Sequence, residues 1–203
     1  TGRLGFLTSI QKENIREAIS LVNKNKFSII ERSLLEVKSE YVDNAFSDYP
    51  FALNEITIQR KDTTSLLNIS CQINDNYLTN YWSDGLIVST PTGSTGYSLS
   101  NGGSIVSPES NVILLNPIAP HNINMRSLVI PDNSNIKIDI EVDNEVNLSV
   151  DSRMYSINSS NQIEISKADF TIKTIKFDDD NFYKRLREKL FWGQDMRNKN
   201  INS

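Results

Sequence analysis

The stretch Leu67-Asn68-Ile69-Ser70-Cys71-Gln72-Ile73-Asn74-Asp75-Asn76-Tyr77-Leu78-Thr79-Asn80-Tyr81-Trp82 decides the fold class. Leu67, Ile69, Cys71 and Ile73 alternate with Asn68, Ser70 and Gln72, the period of a strand with one wet face. Asn74-Asp75-Asn76 is a turn signal, because short Asx side chains bond to nearby backbone and tolerate left-handed conformations. Tyr77 to Trp82 is then the return strand of a hairpin. The period recurs downstream in Ile136, Ile138, Ile140 and Val142, and again in Val146, Leu148 and Val150. Ile163 and Ile165, then Phe170, Ile172 and Ile175, continue the series. Leu86-Ile87-Val88 and Val112-Ile113-Leu114-Leu115 are continuous apolar runs, which predicts strands buried on both faces. Short strands spaced by about 8–12 residues predict a mainly β chain with a sandwich-like architecture. The 24 isoleucines agree with this, since β-branched side chains suit a pleated surface.

Helical periodicity is confined to the two ends. In residues 9–25, Ile15, Ala18, Ile19 and Val22 fall on one face, with Lys12, Glu13, Arg16 and Glu17 on the other. Thr8 with Gln11 offers a capping box. A second helix is predicted from about Asp180 to Phe191, with Asp178, Asp179 and Asp180 at its start and Lys184, Arg185, Arg187 and Lys189 following. That charge order suits the helix dipole. Phe182, Leu186 and Leu190 form its apolar stripe, and Gly193 is placed to end it. The organisation expected is therefore a linker and helix over 1–26, a β-rich domain over 27–177, and a helix with a polar tail over 178–203.

Composition narrows the function. The chain has 203 residues, 38% of them hydrophobic and 23% charged, with a net charge of −4. That is ample for a core, and the acidic balance argues against sequence-independent nucleic-acid binding or a basic membrane-surface role. No apolar run approaches the roughly 18 residues of a membrane span. One cysteine, Cys71, excludes an internal disulfide framework and a multi-Cys zinc site, and one histidine, His121, excludes a His-rich metal centre. The chain opens on Thr1 rather than Met and carries no charged-then-apolar signal region. It reads as a piece of a longer cytoplasmic protein.

Chemistry concentrates in Asp84-Gly85-Leu86-Ile87-Val88-Ser89-Thr90-Pro91-Thr92-Gly93-Ser94-Thr95-Gly96-Tyr97-Ser98-Leu99-Ser100-Asn101-Gly102-Gly103. This is a buried strand, a Pro/Gly turn, then a short helix ended by two glycines. Backbone N–H groups at a helix start attract anions, and glycine lets a ligand approach closely. A nucleotide-recognition corner and an ordinary connection capped by Ser and Thr stand level on the residues alone. A P-loop is excluded, because its Lys is missing. The three-glycine dinucleotide fingerprint is also excluded, with only Gly93 and Gly96 available. A nucleophile elbow on Ser94 is closer, but Thr92 stands where the first glycine belongs, and only Glu109 lies between Ser94 and His121 as an acid. Elsewhere, Asn54-Glu55 interrupts the strand-like run Phe51–Ile58, so one of the two faces inward or sits on a bulge. Asn116-Pro117-Ile118-Ala119-Pro120-His121, followed by Arg126, makes a stiff loop.

Taken in order, Gly2–Leu7, Asn54-Glu55, Asp84-Gly85-Leu86, the block Thr90-Pro91-Thr92-Gly93-Ser94-Thr95-Gly96-Tyr97, the Pro117–Arg126 loop and the closing Phe182–Asn198 segment resemble the bacterial NAD kinase family. The resemblance runs from Gly2 to Asn198, and the Thr-Pro-Thr-Gly-Ser-Thr-Gly-Tyr block is its most specific part. It implies a two-domain enzyme whose N-terminal α/β domain carries a Gly-Gly-Asp-Gly motif with the general base. Its C-terminal β-sandwich binds NAD. No Gly-Gly-Asp-Gly occurs in this chain, so the resemblance makes it the second domain, without a catalytic Asp.

The implied reaction moves the γ-phosphoryl of ATP, or in some members of polyphosphate, to the adenosine-ribose 2′-hydroxyl of NAD. A divalent cation, usually Mg²⁺, assists. By the family motifs, Asn54 and Glu55 contact the adenosine part. Thr92, Thr95, Gly96, Tyr97, Ser98 and Ser100 form the adenine corner, with Tyr97 packing on a ring. Asp84 holds the other end of the dinucleotide and Ala119 approaches from the proline loop, both in reach of a neighbouring subunit. A homodimer or homotetramer, a cytoplasmic location and no nucleic-acid or membrane partner are expected. Trp82 departs from the Arg that many members carry, Gly96 from their Ala, and Asp151-Ser152-Arg153 from an Asp-Gly-Gln-like sequence. Three other classes compete: a lipid kinase of similar architecture, which should lack the Thr92–Tyr97 block, a non-enzymatic nucleotide-binding β-domain, and a Ser94 hydrolase.

Overall fold

The computed structural model describes residues 6, 10, 12–39, 49–61, 66–141, 145–157, 162–178, 181–193 and 195. Helix α1 (Ile15–Asn23) follows a 3-10 turn at Lys12–Asn14. The strands are β1 (Ser28–Ser39), β2 (Phe51–Ala52), β3 (Glu55–Arg60), β4 (Leu67–Ile73), β5 (Asn76–Ser83) and β6 (Gly85–Ser89). A 3-10 turn at Thr92–Thr95 and the one-turn helix α2 (Tyr97–Ser100) come next. Then follow β7 (Val112–Ile118), β8 (Leu128–Pro131), β9 (Ile136–Glu141), β10 (Val146–Val150), β11 (Arg153–Ile157), β12 (Ile163–Lys176) and helix α3 (Phe182–Leu190). By its contacts the chain forms two compact units, residues 32–172 and residues 1–31 with 173–203.

The mainly β expectation holds. Two six-stranded sheets form, in the orders β2-β1-β12-β9-β4-β5 and β11-β10-β3-β6-β7-β8. In the unit 32–172 they share one apolar cluster. Leu35, Val37, Leu67, Ile69, Cys71, Ile136, Ile138, Ile140, Ile163 and Ile165 come from the first sheet. Ile56, Ile58, Leu86, Val88, Ile113, Leu115, Val146, Leu148 and Val150 come from the second. This is the alternation read from the sequence, with every second side chain turned inward. The β4–β5 hairpin closes where predicted: Ile73 pairs with Asn76, and Asn74 and Asp75 both have positive φ, 51° and 61°. Two left-handed residues match the turn twist to that of the strands. Cys71 lies inside the core, where burial pushes its thiol up to about 12, so it is no nucleophile at neutral pH.

Strands β6 and β7 are buried throughout apart from Val112 at the start. Leu86, Val88, Ile113 and Leu115 point to the shared core, so Ile87, Leu114 and Asn116 point away from it. The connection after β6 lies on that second face. Asn116 Nδ2 donates to the carbonyls of Ser98 at 3.0 Å and Asn101 at 3.3 Å. This explains why the sequence reads as a continuous apolar run in these strands.

The ends differ from expectation in detail. α1 is shorter than 9–25, and its cap residue Asn14 makes no side-chain hydrogen bond. Thr8, Gln11 and Val142 lie outside the described residues, as do Asp179, Asp180 and residues 196–203 of the tail. Only Ala18 of the α1 stripe is buried, while Ile15 and Ile19 are half exposed. α3 is capped by the Asn181 side chain, which accepts from Tyr183 N, rather than by the acidic run. It ends on Phe191, which adopts the left-handed conformation at φ 54°, two residues before the expected Gly193. Its buried residue is Arg185, which donates to the Phe6 carbonyl at 2.6 Å, and not the Phe182–Leu190 stripe. Ile163 to Ile175 belong to one 14-residue strand instead of two short ones. Among the described residues no helix is long and apolar enough to cross a membrane.

Candidate functional site

The predicted corner forms where the start of β3, the turn after β6 and the β10–β11 turn meet, all within the unit 32–172. Antiparallel pairing of β3 with β6 sets Glu55 opposite Ser89, and pairing of β10 with β3 sets Val150 opposite Ile56. Asn54 and Glu55 therefore lie between the Thr90–Gly96 turn on one side and Asp151 on the other.

Main-chain contacts build the first side. Thr90 N donates to the Asn54 carbonyl at 2.9 Å, and Thr90 Oγ1 donates to the Leu53 carbonyl at 2.6 Å. Gly93 packs flat against the Asn54 peptide, so close that a Cβ there would stand 2.1 Å from the Asn54 oxygen. Gly96 sits against the Glu55 carboxylate, where a Cβ would be 2.7 Å from Oε2. The second side is Asp151. Its Oδ1 accepts from the N–H groups of Asn54 at 2.8 Å and Glu55 at 3.2 Å, and its Oδ2 from Leu53 N at 2.9 Å. Asp151 N in turn donates to the Glu55 carbonyl at 2.9 Å.

Glu55 alternates with the core residues Ile56 and Ile58 and so points to the outer face of β3, neither into the shared core nor on a bulge. Its Oε2 is buried without a hydrogen-bond partner, while the Tyr97 main-chain N–H reaches the carboxylate. Burial first, and the neighbouring Asp151 charge second, push its carboxyl up to about 7, against the lowering effect of the Tyr97 N–H. In the unfolded chain the group ionises near 4.5. The folded state therefore keeps a proton that the unfolded state releases, and this contribution to stability fades as pH rises from about 4.5 through about 7. Glu55→Gln should accordingly gain stability relative to the parent between about pH 4 and about pH 8, by roughly 1–3 kcal/mol after solvent screening. Urea unfolding at the two pH values measures it, and a pH-independent difference would contradict the buried carboxyl.

The other predicted residues divide into those facing out and those turned in. Tyr97, whose main-chain N–H reaches Glu55, is 38% exposed, and Ser100 at the end of α2 is exposed. Thr95 donates to the Thr92 carbonyl at 3.3 Å. Thr92 is buried, and its hydroxyl accepts from Arg32 Nη1 at 3.1 Å. Ser98 is fully buried and packed against Gly103, so its hydroxyl points inward. Asp84 and Ala119 are not in this corner. They adjoin at the opposite end of β6, where Asp84 N donates to the Ile118 carbonyl at 2.9 Å. At about 3.3 Å per residue, the length of β6 separates the two groups by roughly 15–20 Å. Asp84 pairs with Arg60 at 3.1 Å. Ala119 is held at φ 43°, a strained conformation for a residue with a Cβ.

The nucleophile-elbow reading fails. Ser94 has no exposed surface, and its hydroxyl donates to the Pro91 carbonyl at 2.7 Å and accepts from Val106 N at 3.1 Å. A nucleophile needs access and an adjacent base. Arg153 is a structural residue: it donates to the carbonyls of Val150, Tyr49 and Phe51, and its guanidinium lies 4.6 Å from the Tyr49 ring centroid. Among the described residues no group of three or more His, Cys, Asp or Glu could hold a metal ion. Among the described residues, then, there is no cluster that would serve as a donor set for the divalent cation the resemblance implies.

A two-sheet β-sandwich with a polar, main-chain-lined corner on its outer face is the class of domain these residues define. The ATP-NAD kinase C-terminal domain model matches residues 53–177. An NAD kinase of Flavobacterium psychrophilum is 49% identical over 97% of this chain and 67% of its own length. One from Flavobacterium johnsoniae is 45% identical over the same shares. Among solved structures, yeast NADH kinase complexed with NADH superposes with a TM-score of 0.87 at 30% identity, over 97% of this chain and 58% of that one. An Archaeoglobus fulgidus NAD kinase in complex with ATP superposes at 0.75 and 26% identity, over 94% and 70%. The chain belongs to the NAD kinase family, as its C-terminal domain. It spans about two thirds of the bacterial relatives and less than two thirds of the yeast enzyme.

Proposed function

We propose that this domain binds and orients NAD so that the γ-phosphoryl of ATP reaches the 2′-hydroxyl of its adenosine ribose, giving NADP. The observation that carries the reading is the closure of Gly93 onto the Asn54 peptide, which brings the Asn54–Glu55 pair and the Thr92–Tyr97 block into one corner. NADH in the yeast complex and ATP in the archaeal one are ligands of the corresponding chemistry. Phosphoryl transfer depends on positioning and charge neutralisation more than on covalent chemistry. Positioning is what this domain supplies: Tyr97 offers a ring face, Asn54 an amide edge, and Glu55 a buried carboxyl that donates or accepts according to its proton. The exposed Ser100 hydroxyl borders the same corner. Asp84 and Ala119, at the far end of β6, serve the other half of a dinucleotide held by a neighbouring copy. The assembly is a cytoplasmic homo-oligomer, with residues 27–177 as its NAD-binding part. Mg²⁺, when bound, neutralises the transferring phosphates.

The general base belongs to a Gly-Gly-Asp-Gly segment, and none is present in these 203 residues. NADP formation from NAD, ATP and Mg²⁺ should therefore be measured on the intact kinase carrying this domain and on the 203-residue chain alone. The intact protein is expected to turn over and the chain alone to form no NADP. Turnover by the chain alone at a comparable rate would place the base here after all, and an intact protein inactive on NAD would end the proposal.

A further inference from the structure

The resemblance gives Asp151 no contact with the ligand, yet the structure builds the recognition corner around it. The Asp151-Ser152 turn joins β10 to β11, whose register pairs Val150 with Arg153. Asp151 itself sits at φ 51°, where Asp and Asn are among the few tolerated residues other than glycine. Its carboxylate takes three consecutive main-chain N–H groups, those of Leu53, Asn54 and Glu55, at 2.8–3.2 Å. Hydrogen bonds to an ionised acceptor are shorter and stronger than neutral ones. The carbonyls of Leu53 and Asn54 are held from the opposite side by Thr90. The backbone of the pair is thus gripped on both edges. No described residue bonds the Asn54 side-chain amide, which is left free for a ligand.

We infer that Asp151 is a positioning residue for NAD recognition, gripping the Leu53–Glu55 backbone so that the Asn54 amide and Glu55 carboxyl hold the direction the adenosine needs. This rests on the reading of the corner as the NAD site. Asp151 acts through these residues and touches no substrate. Its charge has a second consequence. Among the described residues, the titratable residues facing Glu55 are Asp151, from the β10–β11 turn, and Tyr97, from α2, which gives its main-chain N–H. Removing the Asp151 charge lets Glu55 ionise at lower pH.

The test uses the intact kinase carrying this domain, with NAD binding measured by calorimetry without ATP across pH, alongside steady-state kinetics. Asp151→Ala should raise the Kd and KM for NAD at least about tenfold, with kcat within about threefold and the KM for ATP unchanged. Asp151→Asn, which keeps the fold's tolerance of positive φ, should weaken NAD less and move the pH midpoint of NAD affinity downward. Amide exchange at Leu53, Asn54 and Glu55 should quicken in both. A folded Asp151→Asn with unchanged NAD affinity and unchanged pH midpoint overturns the inference, and this variant decides alone if Asp151→Ala does not fold. If Asn54→Ala leaves NAD affinity intact while the Asp151 variants still quicken those amides, the NAD-site reading is what has failed. The inference falls with it, although the grip itself is real.

Discussion

Replacing Gly93 with Ala is expected to destabilise the sandwich by at least about 3 kcal/mol, because the added methyl group meets only backbone. The Cβ would lie 2.1 Å from the Asn54 oxygen, 2.5 Å from its carbonyl carbon and 2.7 Å from its Cα. No rotamer change relieves this. Either the 3-10 turn or the start of β3 must move, and the Thr90–Asn54 and Thr90–Leu53 hydrogen bonds break with it. Two neighbouring glycines serve as controls. At Gly96 the nearest atom is Glu55 Oε2 at 2.7 Å, the end of a side chain that can yield. Gly96→Ala should therefore cost less than about 1 kcal/mol. Gly102 has open space around it but a φ of 75°, so Ala there costs about 1 kcal/mol through backbone strain alone. Urea denaturation of the three variants gives the order directly, and a Gly93→Ala variant as stable as Gly96→Ala would mean that the close packing is not real.

Most of the fold was legible because its signals are local. The β4–β5 hairpin follows from side-chain period and from two Asx residues that accept positive φ. The runs in β6 and β7 read as doubly buried, and they are. What local reading missed was decided at a distance. Nothing in Ile15, Ile19 and Val22 says that this face is left half exposed. In the 163–176 run the apolar phase changes between Ile165 and Phe170, which reads as a break, yet β12 continues through it as one strand. The end of α3 was misplaced because glycine is the usual left-handed terminator, while here Phe191 takes that conformation.

The site was legible in its parts but not in its framing. A polar pair interrupting the Phe51–Ile58 run predicted an inward residue or a bulge; the structure shows neither, since Glu55 pairs regularly on the outer face of β3 and its Oε2 is buried by the corner itself. Ser98 and Thr92 read as site hydroxyls because type and spacing do not report direction, and the structure turns both side chains inward. Asp151 and Arg32 were not anticipated as partners. Each lies at least 60 residues along the chain from what it holds, with Asp151 separated from Leu53 by 98. The one local hint was Arg32, a charged residue on the same strand face as the buried Leu34. A buried guanidinium needs an acceptor, and Thr92 is one.

Tyr97→Ala and Asn54→Ala in the intact kinase should each raise the KM for NAD by one to two orders of magnitude. Tyr97 leaves the turn with its side chain 38% exposed, while its main-chain N–H is tied to Glu55, so the ring projects from a fixed base. Stacking a ring on a base is worth roughly 1–3 kcal/mol. Asn54 offers one acceptor and two donors to the amino and ring-nitrogen edge of adenine, and a bidentate pair of that kind is worth about 1–3 kcal/mol. At ~1.4 kcal/mol per tenfold, either loss corresponds to the stated range. Neither variant should lose much stability. Removing the exposed Tyr97 ring leaves the hydrogen bonds of the corner in place, because all of them at this residue are made by its main chain. Asn54→Ala likewise keeps the peptide that Gly93, Thr90 and Asp151 enclose. Both proteins should therefore fold normally and lose affinity for NAD alone, with the KM for ATP unmoved. Loss of ATP affinity with NAD affinity intact would reverse the assignment of this domain.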